Sequence, residues 1–146
     1  MKSNRRKSTI AFSISVLLGL SAGISTPAQA GTADSTIGLF TVYGVNYTNQ
    51  ATIYTTPGSA NASTLITTAS GTVPAGWMGA RARLFNSSGV LIQEGQTSYT
   101  PVKAAGYGVS TIRSATGTWY SYGVTYSWNG NGYSAYYTFR SPNQSS

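Results

Sequence analysis

Trp119 to Phe139 reads WYSYGVTYSWNGNGYSAYYTF, and nine of these twenty-one residues are aromatic. Alternation of bulky and small side chains with a period of two is the mark of a strand, because successive side chains leave a sheet on opposite faces. Asn129-Gly130-Asn131-Gly132 interrupts the run with residues that tolerate positive φ, so the stretch reads as a β-hairpin. Tight turns at Asn129-Gly130 or at Asn131-Gly132 and a four-residue loop are three open registers. They differ by even steps, so face membership survives the choice. One face takes Tyr120, Tyr122, Val124, Tyr126 and Trp128 with Tyr133, Ala135, Tyr137 and Phe139. The other takes Trp119, Ser121, Gly123, Thr125 and Ser127 with Ser134, Tyr136, Thr138 and Arg140. The ordinary pattern of a half-buried sheet assigns the ring-rich face to the core and the hydroxyl face to water.

Working outward, the rest of the chain from residue 31 has the same character. Thr, Tyr, Val and Ser dominate, and Gly, Asn and Pro punctuate at short intervals. Strands are expected near 37–48, 51–56, 63–73, 76–85, 90–99, 106–113, 118–128 and 133–140. Thr56-Pro57-Gly58-Ser59 suits a type II turn, and Asn86-Ser87-Ser88-Gly89 suits a hairpin. About eight short strands with this spacing imply an all-β fold, a single small antiparallel β-sandwich or barrel. Tyr43-Gly44-Val45-Asn46-Tyr47-Thr48 echoes Tyr122-Gly123-Val124-Thr125-Tyr126-Ser127. In a chain so rich in these residues, the echo is read as coincidence rather than as a pseudo-symmetric pair of strands.

The hairpin from Trp77 to Glu94 adds charge to the pattern. Met78, Ala80, Ala82 and Leu84 form its core face, and Trp77, Arg81, Arg83 and Phe85 look the other way. Glu94 falls opposite Arg81 or Arg83, a cross-strand ion pair worth about 0–1 kcal/mol if exposed. The second arginine is then left between aromatic residues. Such a guanidinium can stack on a ring and fork onto a carboxylate or phosphate.

The first thirty residues have a different logic. Lys2, Arg5, Arg6 and Lys7 precede an apolar run from Ile10 to Ile24, and Pro27 and Ala28-Gln29-Ala30 follow. This is the pattern of a secretory signal peptide over residues 1–30, leaving one β domain over 31–146. The run is shorter than the roughly 20 apolar residues of a membrane span. Nine Lys and Arg stand against two carboxylates in the whole chain, a net charge of +7. Four of the nine lie in the leader, so the remaining domain carries five against two, or +3. Arg81, Arg83, Lys103, Arg113 and Arg140 are too scattered for a nucleic-acid patch, and nucleic acid is not an expected partner. The chain has no cysteine, so its stability must come from its core rather than from disulfides. An exported, disulfide-free chain of this kind fits a bacterium, and no transmembrane or sorting signal is seen after Arg140.

The missing residue types narrow the function most. Without histidine there is no imidazole for acid–base work, a triad or a metal. Asp34 and Glu94 are the two carboxylates, against the positioned pair that glycoside hydrolysis requires and the several acidic oxygens that calcium prefers. An enzyme is therefore not expected, and neither is a cofactor or a metal. The expected function is that of a secreted, non-enzymatic binding domain at a cell envelope or extracellular matrix. Its partner would be a cell-wall glycan or anionic polymer. Trp77, Arg81, Arg83, Trp119, Tyr136 and Arg140 are the expected ligand-binding residues. A bacteriocin-like or membrane-active antagonist and a self-assembling surface protein are the alternatives.

Overall fold

The structure, a computed structural model, describes residues 30–146. The expected leader lies outside the described residues except for Ala30. The described chain forms thirteen strands and no helix, so no helix long and apolar enough to cross a membrane is found among these residues.

In chain order, β1 (Gly31–Asp34) and β2 (Gly38–Val42) are followed by the long β3 (Val45–Thr56) and β4 (Ser59–Thr68). Then come β5 (Met78–Arg81), β6 (Arg83–Asn86), β7 (Leu91–Glu94), β8 (Ser98–Tyr99) and β9 (Gly106–Arg113). The chain ends with β10 (Thr118–Ser121), β11 (Val124–Trp128), β12 (Tyr133–Tyr137) and β13 (Gln144–Ser145). They make three antiparallel sheets and no closed barrel. One has the order β1-β3-β4-β9 with β2 also beside β3, and the others are β13-β10-β6-β7 and β12-β11-β5-β8.

The count exceeds the expected eight partly because two strands are each broken in two. Residues 76–85 divide at Ala82, and 118–128 divide at Tyr122-Gly123. Hydrogen bonds still cross both breaks, from Gly95 N to Ala82 O at 2.9 Å and from Tyr122 N to Arg83 O at 3.2 Å. The two four-stranded sheets therefore continue one another as a bent layer facing the larger sheet.

The first hairpin also differs from expectation. No turn separates residues 48 and 51. Tyr47, Asn49, Ala51, Ile53 and Thr55 hold an unbroken inward alternation along β3. Asn49, whose residue type suggested a turn, is instead buried and donates from Nδ2 to Thr125 Oγ1 at 2.9 Å. The turn lies at Tyr43-Gly44, where Val42 pairs with Val45. Its φ values of 50° and 74° are those of a type I′ connection. Gly44 is thus a turn residue while Gly123 lies at a strand break, which removes any equivalence between the two echoed segments. The turns at Pro57-Gly58 and at Asn86–Gly89 form as expected, and the last hairpin takes the four-residue loop, with Trp128 opposite Tyr133.

Two apolar clusters hold the layers together. Val42, Tyr47 and Ile66 meet Val73 and Met78 in one, with Phe40 and Tyr136 packed against it. Ile53, Ala60 and Ala62 meet Leu84 and Trp119 in the other. Each fully buried large aliphatic side chain here contributes roughly 1.5–3 kcal/mol. A band of buried Ser, Thr and Asn lies between them. Ser121 Oγ donates to Ser63 O at 3.1 Å, Gly123 N to Thr138 Oγ1 at 3.0 Å, and Ser121 N to Ser141 Oγ at 2.9 Å.

The faces of the last hairpin are largely the reverse of those expected, although Tyr120 and Val124 are buried as expected and Tyr122, Tyr126 and Trp128 are half-buried. Ser121, Thr125 and Ser127 are fully buried, whereas Tyr133, Tyr137 and Phe139 are exposed, Tyr137 by 59%. The cause is volume. Tyr47, Ile53 and Ile66 from the large sheet, with Met78, Leu84 and Trp119 from the opposing layer, already fill the space between layers, so Ser121, Thr125 and Ser127 face inward where only small side chains fit. Met78, Ala80, Ala82 and Leu84 do point inward as expected, all fully buried.

Candidate binding face

The reversal places the aromatic residues on the outer surface of the bent layer, where β5, β6, β10, β11 and β12 lay them side by side. Arg83 is at the centre of one group. Its Cζ lies 5.2 Å from the Phe85 ring centroid, 5.0 Å from Tyr122 and 5.2 Å from Tyr137. Nε donates to Tyr122 O at 2.9 Å, which fixes the plane of the guanidinium. The rings brace each other: Phe85 stacks on Tyr120 at 5.2 Å and 7°, and Tyr122 on Tyr137 at 5.6 Å and 20°. Arg140 closes the group, with Cζ 3.6 Å from the Tyr120 centroid and Nη2 donating to Asn143 Oδ1 at 2.6 Å. Each cation–π contact contributes roughly 0.5–1 kcal/mol at an exposed site.

Arg81 sits between this group and a second one. Its Nη1 is 3.6 Å from Glu94 Oε2, and its Nε donates to Thr97 Oγ1 at 2.8 Å. The second group joins Tyr99 to Tyr133 at 4.5 Å and to Tyr126 at 6.1 Å, and Tyr133 to Trp128 at 5.6 Å. Burial pushes the Tyr99 hydroxyl above the ordinary tyrosine pKa; Tyr133 and Tyr126 add to the rise, and Arg81 opposes it. The face as a whole presents three guanidiniums and one carboxylate among stacked rings. The other carboxylate, Asp34, lies on β1 in the large sheet.

The six expected binding residues separate. Arg81, Arg83 and Arg140 share this face, and Trp77 stands at its far end, half-buried against the first apolar cluster. Trp119 was expected in solvent but is 7% exposed, its Nε1 donating to Ser146 Oγ at 2.9 Å. Tyr136, also expected on a solvent face, stacks on Phe40 at 4.1 Å and 12° against the core. Arg140 reaches the outer face because β12 ends at Tyr137, so strand parity no longer applies to it. Tyr122 and Tyr137, expected in the core, instead line this face; Tyr120, also expected in the core, is buried at 7% exposure beneath Arg140. The clue available in sequence was the Ser, Gly and Thr content of the alternate positions, which suits a gap already filled from the opposite side.

No family model, curated protein or solved structure gives a match to the chain.

Proposed function

We propose that the protein is a secreted, non-enzymatic binding domain acting at a cell envelope or extracellular matrix, with an acidic glycan or related anionic polymer as its ligand. The observation that carries this reading is Arg83 held among Phe85, Tyr122 and Tyr137 while the neighbouring carboxylate is engaged by Arg81. Arg83 is half-buried, with Nε donating to Tyr122 O and Nη2 enclosed without a protein partner, so it is oriented before contact. It would meet a carboxylate or phosphate through its remaining N–H donors as the exposed rings shift. Arg140 offers a second cation, and exposed Tyr137 offers a ring face for the carbon skeleton between anionic groups. The two arginines thus supply charge, and the tyrosines supply apolar contact with little conformational entropy to lose.

Retention on isolated bacterial cell walls and on immobilised polygalacturonate tests the proposal. Binding should weaken with salt, because the attraction is between charges near the protein surface. Arg83→Gln and Arg140→Gln should each lower affinity about tenfold, the equivalent of a charge-assisted hydrogen bond of roughly 1.5 kcal/mol. Failure to bind both materials at low salt would refute the proposal.

A further inference from the structure

Tyr43 is the one non-glycine residue with positive φ among the described residues, at 50°. Asn, Asp and Gly are the usual occupants of this turn position. A bulky aromatic there is an outlier whose surroundings must hold it in place. Burial does not explain it, since Tyr43 is 61% exposed. Its ring instead stands against Trp77 at 5.7 Å and 62°. It also lies over Gly130 in the Asn129–Gly132 loop, where a Cβ would approach Tyr43 Cε2 to 2.8 Å. The turn therefore spends backbone strain to brace Trp77 from outside.

Trp77 is one wall of a cleft of about 230 Å³, completed by Ala75, Gly76, Trp128 and Tyr133. Trp128 and Tyr133 meet at 75°, and the Tyr133 hydroxyl donates to Gly76 O at 2.8 Å, tying the two sides of the rim together. Trp119 uses its indole N–H on Ser146. Those of Trp77 and Trp128 have no hydrogen-bond partner among the described residues. No charged side chain lines the cleft.

We propose that this cleft binds one neutral pyranose ring. The apolar C–H face of a sugar packs on an indole or phenol ring, and the hydroxyls at its edge accept from indole N–H donors. The volume lies below the roughly 300–1,000 Å³ of pockets for drug-sized ligands, which suits a single ring. The absence of lining charge selects a neutral unit, in contrast to the arginine group on the same face. Tyr43 acts as a positioning residue for Trp77. The proposal rests on the glycan-binding reading only for the polymer to which the ring would belong; the cleft itself is separate from Arg83.

Indole N–H resonances of the whole protein, titrated with chitohexaose and with cellohexaose, test it. The Trp77 and Trp128 signals should move with at least one of these oligomers, while the Trp119 signal stays. Tyr43→Asn should keep or raise the thermal midpoint, because Asn suits the turn, yet weaken that binding at least fivefold. Arg83→Gln should leave neutral-sugar binding unchanged while lowering retention on polygalacturonate. Loss of polygalacturonate retention in the wild type with intact oligosaccharide binding would sink the anionic-polymer reading and leave the cleft standing. The cleft proposal is overturned if neither oligomer moves Trp77 and Trp128. It is equally overturned if Tyr43→Asn binds like the wild type or melts well below it.

Discussion

Replacing Gly123 by alanine should separate the two layers at the point where the bent sheet changes direction. A Cβ there would lie 1.8 Å from Thr64 Oγ1, 2.6 Å from its Cγ2 and 2.7 Å from its Cβ. Thr64 cannot retreat easily, because β4 is hydrogen-bonded to β3 on one side and to β9 on the other. Overpacking of this kind typically costs about 1–3 kcal/mol. The gain from restricting the unfolded chain returns about 0.4–1 kcal/mol. The net loss should be about 1–2 kcal/mol, a fall of roughly 3–12 °C in thermal midpoint for a domain of this size. Urea unfolding followed by circular dichroism measures it. Thr64→Ala removes two of the three clashing atoms, Oγ1 and Cγ2, the former a buried hydroxyl without a protein partner, and leaves Cβ at 2.7 Å. Adding Gly123→Ala to Thr64→Ala should therefore cost less than it does in the wild type, because only the Cβ contact remains, giving a favourable coupling of about 1 kcal/mol. Equal stability of Gly123→Ala and wild type would show that the layers are not in close contact here. An unrescued double variant would show that the clash lies elsewhere. The site feels the same change, because Tyr122 precedes Gly123 and its carbonyl accepts from Arg83.

Three further outcomes follow from the packing. Tyr47 is almost fully buried, its hydroxyl has no protein partner, and burial raises its pKa. Below about pH 10 both folded and unfolded forms keep this proton; above it the unfolded form releases it first, so the contribution of Tyr47 to stability is lost as pH rises. Tyr47→Phe should match or exceed wild-type stability at pH 7, by up to about 1–2 kcal/mol, and its margin should grow above pH 10 in alkaline unfolding curves. Gly79→Ala should push the Tyr99 ring away, since a Cβ would meet Tyr99 Cδ1 at 2.5 Å; loss of ring-current shifts between Tyr99 and Tyr133 would report it. Trp119→Phe should cost about 0.5–1.5 kcal/mol for the lost bond to Ser146, with further loss from packing, and no change in polygalacturonate binding per folded molecule.

Much of the fold could be read from particular residues. Pro57-Gly58 and Asn86–Gly89 turn where their backbone preferences require, and β9 occupies the expected residues 106–113. The inward face of Met78, Ala80, Ala82 and Leu84 was visible because apolar residues occupied every second place. The arginine group was half visible: Arg81 takes Glu94 and leaves Arg83 against aromatic rings. The first turn was misplaced because Tyr43 adopts a conformation its residue type disfavours, and no local preference announces that. Asn49 misled in the opposite direction, since its amide serves a partner 76 positions away.

By itself, the sequence determined the all-β class, the period-two alternation and the division of the last hairpin into a ring-rich and a hydroxyl-rich face. Tertiary structure alone decided which of those faces is core. Parity states that two faces differ; it carries no information about the space awaiting them. That space is set by Tyr47, Ile53 and Ile66 on the opposing sheet, whose bulk admits Ser121, Thr125 and Ser127 and leaves Tyr122, Tyr126 and Tyr137 outside. The stretch WYSYGVTYSWNGNGYSAYYTF thus contributes Trp119 and a row of small residues to the core, while most of its rings lie on the outer face, divided between the Arg83 group and the Tyr99 group.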